Sequence, residues 1–311
     1  MRLRFTKCHG SGNDFPLVDA RALSLSDGEW AAAARALADR AGPVGGDGLL
    51  LLTEGDDACA FGMRMFNSDG SEAETCLNGL RCVARAGFQA MGLDRARVRL
   101  RTSEAEVARD AELAPGVYTV EERAGPAGLD VRAWPVGLGV ERIVDAVVPP
   151  LSDTLRLTAV AMPNPHFVGF VDRVDEAELV RLGRVCEAAP GWLPNRANLS
   201  FVEERPGGLF IRTHERGVGL TDACGSAMAA SAVAAGLTGR IAFGTDFTVW
   251  NRGGPGRARA DADLVVTLSG NATFEWEGEF DLATGELRVL TRHDDEIAAW
   301  NAALSRPLTT S

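Results

Sequence analysis

The sequence predicts a two-domain α+β protein whose halves are pseudo-twofold related, and three observations carry that expectation. At 311 residues the chain exceeds the usual single-domain length of about 100–200 residues. Strand-like runs alternate with helix-like runs along its whole length. Cys76 and Cys224 stand 148 residues apart, close to half the chain, and each ends a polar loop immediately before an apolar, alanine-containing segment. This is a repeat signal without residue-by-residue identity. It implies two similar halves facing each other across a cleft that holds the active site.

In chain order, Asp27–Arg40 (DGEWAAAARALADR) reads as a helix capped by Asp27 and followed by Gly- and Pro-rich sequence. Residues 49–52 (LLLL) and 61–66 (FGMRMF) read as strands, and 97–102 (RVRLRT) and 117–121 (VYTVE) show the short alternation of sheet. A helix is expected from near Cys76 to about Met91. Arg123–Leu129 (RAGPAGL) breaks a strand-rich region near mid-chain and sets the boundary. The first domain is then 1–125, rejoined by a C-terminal strand from about 273–311, and the second is 126–272. The second half follows the first in outline: a strand at 166–171, a helix over 175–188, a strand at 198–203, a small-residue helix over 225–237, and strands at 264–268 and 273–277. Residues 283–311 read as an added, partly helical tail.

Hydrophobic residues make up 46% of the chain and charged residues 24%, the composition of an ordinary globular protein. The formal charge of −11 and the absence of a Lys/Arg run argue against nucleic-acid partners. No apolar stretch is long enough to span a bilayer, and the first residues lack a secretory signal pattern, so no membrane association and a cytoplasmic location are expected. The six cysteines are scattered through a chain too long to need staples, which predicts reduced thiols. No Cys-x-x-Cys pair and no histidine at zinc-site spacing is present, so no metal is expected. The glycine runs at 10–12, 45–48 and 253–256 match neither the dinucleotide fingerprint nor the phosphate loop.

A cysteine placed just before a helix sits where free backbone N–H groups and the helix dipole favour negative charge, lowering a thiol pKa from about 8.5 toward neutrality. Cys76 and Cys224 occupy such positions and read as acid–base groups or as packed apolar thiols, whereas Cys59, Cys82 and Cys186 read as packed apolar residues. Helix N-termini also bind carboxylates, so Leu77, Asn78, Gly225 and Ser226 would direct main-chain N–H groups at a substrate α-carboxylate. Negative charge spreading onto that carboxylate as the α-proton leaves would be stabilised by the same donors. Taken alone, His166 reads more readily as a structural histidine opening a strand than as a site residue. Glu215 and Arg216 read as a site pair or a local ion pair, and Asn67, Asn195 and Asn198 as turn residues.

As a set, these segments resemble the diaminopimelate epimerases, amino-acid isomerases that work without pyridoxal phosphate or any other cofactor. The matching stretches are Lys7-Cys8-His9-Gly10-Ser11-Gly12-Asn13-Asp14-Phe15, Gly45-Gly46-Asp47-Gly48, Met65-Phe66-Asn67-Ser68-Asp69-Gly70-Ser71-Glu72, Cys76 with Asn78-Gly79 and Arg81-Cys82, Asn164-Pro165-His166, Pro194-Asn195-Arg196 with Asn198, and Glu215-Arg216-Gly217 with Ala223-Cys224-Gly225-Ser226. The resemblance implies that fold, and interconversion of LL- and meso-2,6-diaminopimelate in lysine and peptidoglycan precursor synthesis. It further implies Cys76 and Cys224 as the thiolate/thiol pair. Asn67, Asn164, Asn198 and Arg216 would hold the distal carboxylate and amine, and Asn13, His166 and Glu215 would lie near the reacting centre. Three positions depart from the family pattern: Leu77 stands where a glycine is usual, Leu220 where a glutamate is usual, and Cys8 where methionine is common. Leu77 and Leu220 keep open a racemase or epimerase of another amino acid on the same fold. A thiol redox sensor using the same two cysteines and a noncatalytic ligand-binding relative are the remaining alternatives. The oligomeric state, monomer or homodimer, stays open.

Overall fold

The computed structural model describes residues 1–73, 76–134, 136–162 and 164–305; the end of the expected tail, 306–311, lies outside them. The chain forms two compact units, Met1–Glu122 together with the segment from Ser269, and Arg123–Leu268.

In the first unit, β1 (Arg2–Gly10) and β2 (Asn13–Asp19) form an antiparallel pair, and α1 (Asp27–Leu37) crosses over to β3 (Gly48–Glu54), which runs parallel to β2. β3 turns back into antiparallel β4 (Phe61–Asn67), and α2 (Leu77–Met91) crosses over to parallel β5 (Arg95–Arg99). β6 (Glu104–Asp110) and β7 (Thr119–Ala124) extend the sheet antiparallel.

The second unit repeats this order. β8 (Ala146–Val148) pairs with β9 (Ser152–Ala161), and β9 with antiparallel β10 (Pro165–Val171). α3 (Glu176–Glu187) crosses over to parallel β11 (Asn198–Arg205), which turns back into antiparallel β12 (Gly208–Glu215). After the short β13 (Gly219–Thr221), α4 (Gly225–Leu237) crosses over to β14 (Phe247–Asn251), parallel to β12 and antiparallel to β15 (Gly254–Ala260). The duplication faint in sequence is therefore plain in topology: two crossovers on either side of an antiparallel turn, twice. The chain continues through β16 (Val266–Asn271) to β17 (Thr273–Asp281), which pairs antiparallel with β1, then β18 (Leu287–Arg292) against β17, and α5 (Asp294–Leu304).

Packing explains the sequence patterns. The run LLLL lies on β3 with every side chain buried, because Leu50 and Leu52 enter the core around α2 while Leu49 and Leu51 enter the core around α1. A strand covered on both faces needs no polar alternation. α2 packs on β1 through β6 and ends at Gly92, whose left-handed φ of 67° suits a glycine C-cap. α4 is buried nearly all round, as its alanine-rich sequence requires, and packs on β9, β10, β11, β12 and β15.

Several expected boundaries shift. The cap of α1 is Ser26, not Asp27: Ser26 accepts the Glu29 N–H while Glu29 accepts the Ser26 N–H at 2.7 Å, a capping box, and the helix stops at Leu37. The strand expected at 97–102 is Arg95–Arg99, since Leu100 donates its N–H to the Ser103 carbonyl in a turn. The one expected at 117–121 starts only at Thr119, because Val117 closes a turn onto Ala114. At 264–268, Leu264 takes a left-handed φ of 65° in a turn, so the strand begins at Val266. The tail is integrated: β18 joins the sheet, and Trp300 and Ala303 of α5 pack with Ala114 and Val117. No helix among the described residues is long and apolar enough to cross a membrane.

Candidate active site

Each unit offers one cysteine at the N-cap of its central helix. In the first unit, Cys76 has extended backbone, and its Sγ accepts the Gly79 N–H at 3.4 Å. Leu77 and Asn78 follow as the first two helical residues. The backbone at Leu77 is thus helical, and a side chain is accommodated there without a glycine conformation. Asn78 donates its amide N–H to Asn13 Oδ1 at 2.5 Å, and Asn13 donates to Asp47 Oδ2 at 3.1 Å. These contacts bring Cys76, Leu77, Asn78 and Asn13 into one cluster. Asn67 ends β4, and its side chain donates to Ser71 Oγ at 2.9 Å, in keeping with a turn role.

In the second unit, Cys224 caps α4 with its Sγ 3.4 Å from Ser226 Oγ, and Gly225 and Ser226 open the helix. Glu215, at the end of β12, accepts the Thr221 hydroxyl at 2.5 Å and lies near enough to Cys224 for each to shift the other's pKa. His166 and Asn198 are neighbours across the parallel β10–β11 pair. Asn198 Oδ1 accepts the Arg216 N–H at 3.0 Å, and Arg216 donates to the Asn195 carbonyl at 3.1 Å. His166 Nε2 lies 3.1 Å from Asn164 Oδ1, an acceptor, which assigns the proton to Nε2 and leaves the buried Nδ1 lone pair without a hydrogen-bond partner among the described residues. Burial, helped by Arg216, lowers the His166 pKa to about 3, so the ring is neutral at physiological pH.

The thiol electrostatics reverse the expectation from helix position. Burial pushes the Cys76 thiol up to about 12, outweighing the Gly79 N–H that favours its thiolate. Burial also raises the Cys224 thiol well above its ordinary value, and the Glu215 carboxylate adds to that rise. Desolvation of a thiolate inside protein exceeds what one helix terminus returns. Glu215 is itself raised, chiefly by burial. Cys8, Cys59, Cys82 and Cys186 are free and fully buried, while Cys76 and Cys224 are half-buried. Among the described residues, no group of three or more His, Cys, Asp or Glu side chains is placed to hold a metal ion.

Sequence reasoning gave no role to Ser11, Arg81, Glu122, Thr221 or Asn271, which support the site residues. The i, i+3 spacing of Asn78 and Arg81 was the available signal, since it places both on one face of α2.

Comparison with solved structures places the architecture. A phenazine biosynthesis protein of the PhzF family from Bacillus anthracis aligns with a TM-score of 0.65 at 13% identity, covering 90% of this chain and 99% of that one. A hydroxyproline epimerase from Agrobacterium vitis gives 0.59 at 12% identity, covering 98% of each. This chain is thus a member of that two-domain mixed α/β fold class. The narrower assignment comes from sequence: the model of the family described as diaminopimelate epimerase matches residues 5–121 and 158–288. Diaminopimelate epimerases from Enterococcus faecalis (37% identity, covering 94% of each chain) and Listeria innocua (36%, covering 93% of this chain and 92% of the relative) are similar over nearly their whole length. The chain belongs to the diaminopimelate epimerase family.

Proposed function

We propose that this protein interconverts LL- and meso-2,6-diaminopimelate in the cytoplasm, with Cys76 and Cys224 acting as base and acid on opposite faces of one α-carbon. The observation that carries the reading is the repeated placement of a half-buried cysteine at the N-cap of each unit's central helix in a chain of this family. One thiolate takes the α-proton, so that the C–H bond breaks as an S–H bond forms. The electron pair spreads into the α-carboxylate, and the other thiol donates its proton to the opposite face, becoming the thiolate. Two groups are needed because one group on one face would return the proton with retention.

The two thiols differ in a way that suggests their resting roles. Each thiol has a backbone N–H that favours its thiolate, Gly79 for Cys76 and Ala227 for Cys224, but Cys224 also lies beside Glu215, which keeps it protonated. Both pKa values stand far above neutrality in the free protein, so the substrate's ammonium group and closure around it supply the stabilisation that makes a base. Leu77, Asn78, Gly225 and Ser226 offer N–H groups to the α-carboxylate, with Asn13, His166 and Glu215 beside the reacting centre. Asn67, Asn164, Asn198 and Arg216 would hold the distal carboxylate and amine. A second reading, epimerisation of another amino acid, is favoured by the bulk of Leu77 beside Cys76 and by Leu220 opposite His214 on β13.

Incubation with LL-diaminopimelate in deuterium oxide under reducing conditions tests both readings. α-Deuteration and meso product are expected from the wild type; meso product is lost in both Cys76→Ala and Cys224→Ala, and deuteration of the LL isomer is lost in the variant that lacks the base on its α-proton face. Deuteration that survives both substitutions would remove the cysteine mechanism, and activity confined to other amino acids would select the second reading.

A further inference from the structure

The first unit contains a hydrogen-bond chain whose two ends have fixed polarity. Arg81, 1% exposed, donates to Glu122 Oε1 at 2.9 Å, to Ser11 Oγ at 2.9 Å, to the Asn271 carbonyl at 3.2 Å and to Asn78 Oδ1 at 2.6 Å. Asn78 Nδ2 then donates to Asn13 Oδ1, and Asn13 Nδ2 to Asp47 Oδ2. A guanidinium only donates, and an ionised carboxylate only accepts. Asn78 must therefore turn its oxygen to Arg81 and its nitrogen to Asn13, while Asn13 turns its oxygen to Asn78 and its nitrogen to Asp47. Flipping either amide would set donor against donor and acceptor against acceptor. Each amide nitrogen keeps one further N–H outside the chain.

The surrounding backbone is shaped around this arrangement. A Cβ on Gly10 would lie 2.3 Å from the Asn78 carbonyl oxygen, and one on Gly270 would lie 2.5 Å from the Arg81 guanidinium carbon. Ser11, two residues before Asn13, holds a left-handed φ of 51°. Its N–H donates to Asn271 Oδ1 at 2.7 Å, and its hydroxyl accepts from Arg81. A strained non-glycine residue persists where neighbours over-determine it, and here Arg81 is one of those neighbours.

We infer that Arg81 and Asp47 are positioning residues that lock the amide sense of Asn78 and Asn13, so that both offer an N–H rather than an oxygen to an anionic group of the substrate. This rests on the epimerase reading above. Glu122, fully buried against Arg81, is the carboxyl group set against the guanidinium in the interior, and burial raises its pKa to about 7 despite Arg81.

The lock is tested without substrate by labelling asparagine side chains with ¹⁵N and recording the amide resonances of Asn13 and Asn78. The wild type and Asp47→Asn, which keeps the Arg81 end, should each show a single sharp NH₂ pair per residue. Arg81→Gln/Asp47→Asn replaces both ends with amides that accept either sense, and should split or broaden both pairs. Unchanged sharp pairs in that variant would overturn the lock. The consequence for substrate is read from Asn13→Asp/Asp47→Asn, which keeps the links from Asn78 to position 13 and from position 13 to position 47, at the cost of the Asp14 N–H bond to Asp47 Oδ2, but replaces the Asn13 N–H with lone pairs. Its KM for diaminopimelate should rise about tenfold or more, the size of one lost charge-assisted hydrogen bond, with kcat changed less. A wild-type KM there would overturn the donor role and leave the chain a purely structural brace. If the wild type shows no epimerisation at all, the proposed function fails, while the resonance measurement still judges the lock.

Discussion

Removing the Glu296 carboxylate should loosen α5 from the helix that carries Cys76. Glu296 lies in the first turn of α5, beyond residue 288 where the family match ends. Its Oε1 accepts from Arg85 Nη2 at 2.6 Å, and its Oε2 accepts both from Arg85 Nη1 at 2.5 Å and from the Phe274 N–H at 3.1 Å. Arg85 belongs to α2, its side chain is 7% exposed, and its guanidinium lies 3.9 Å from the Phe274 ring centre and 4.5 Å from that of Tyr118. Glu296→Ala leaves this cation with the Ala272 carbonyl and two ring faces but no counter-charge. Breaking a buried pair from one side costs about 3–5 kcal/mol, and the 17% exposure of Glu296 admits enough water to bring the loss to about 2–4 kcal/mol. At about 2–4 °C per kcal/mol for a unit of this size, Tm should fall by roughly 4–16 °C. Calorimetry of Glu296→Ala beside Glu279→Ala supplies the assay. The second removes a partly exposed carboxylate that meets the exposed Arg288 at 4.0 Å and should change stability by less than about 1 kcal/mol. Arg85→Met/Glu296→Leu should recover much of the loss, since an apolar pair needs no counter-charge. A Tm for Glu296→Ala no lower than that of the exposed control would refute the reasoning.

Three further outcomes follow from the same geometry. Because burial raises the Cys76 thiol to about 12, its alkylation by iodoacetamide in the ligand-free protein should climb about tenfold per pH unit from 7 to 10; a plateau below pH 8.5 would show a stabilised thiolate instead. Gly10→Ala forces a Cβ to within 2.3 Å of the Asn78 carbonyl, an overpacking cost of about 1–3 kcal/mol at the first turn of α2; thermal unfolding and turnover should both register it, and wild-type values in both would contradict the close approach. Ser26→Ala should destabilise α1 by about 1 kcal/mol, whereas Asp27→Ala should cost only a few tenths; equal effects in denaturant melts would restore Asp27 as the cap.

Much of the site was legible because it depends on local sequence. A polar loop ending in cysteine before an apolar helix identifies Cys76 and Cys224, and α4 spans the same 225–237 that its small residues predict. The strands at 166–171 and 198–203 sit inside β10 and β11 for the same reason. Strand edges at 117–121 and 264–268 were misplaced because hydrophobic alternation continues through turns that only backbone hydrogen bonds reveal. The four leucines of β3 showed that the strand is buried, but not that α1 and α2 cover its two faces.

The cysteine pair draws the line most clearly. Sequence alone determined which two thiols stand at helix N-termini, and to which family the chain belongs, because both follow from the order of residues along the chain. Only the tertiary structure decided their electrostatics. Desolvation sums over every neighbour that excludes water, most of them distant in sequence, and it overrides the local helix terminus. The same holds for Arg81: in sequence it is one arginine on a helix, and in the fold its partners come from positions 11, 122 and 271 as well as 78. A buried guanidinium acquires its role from partners that converge only when the chain has folded.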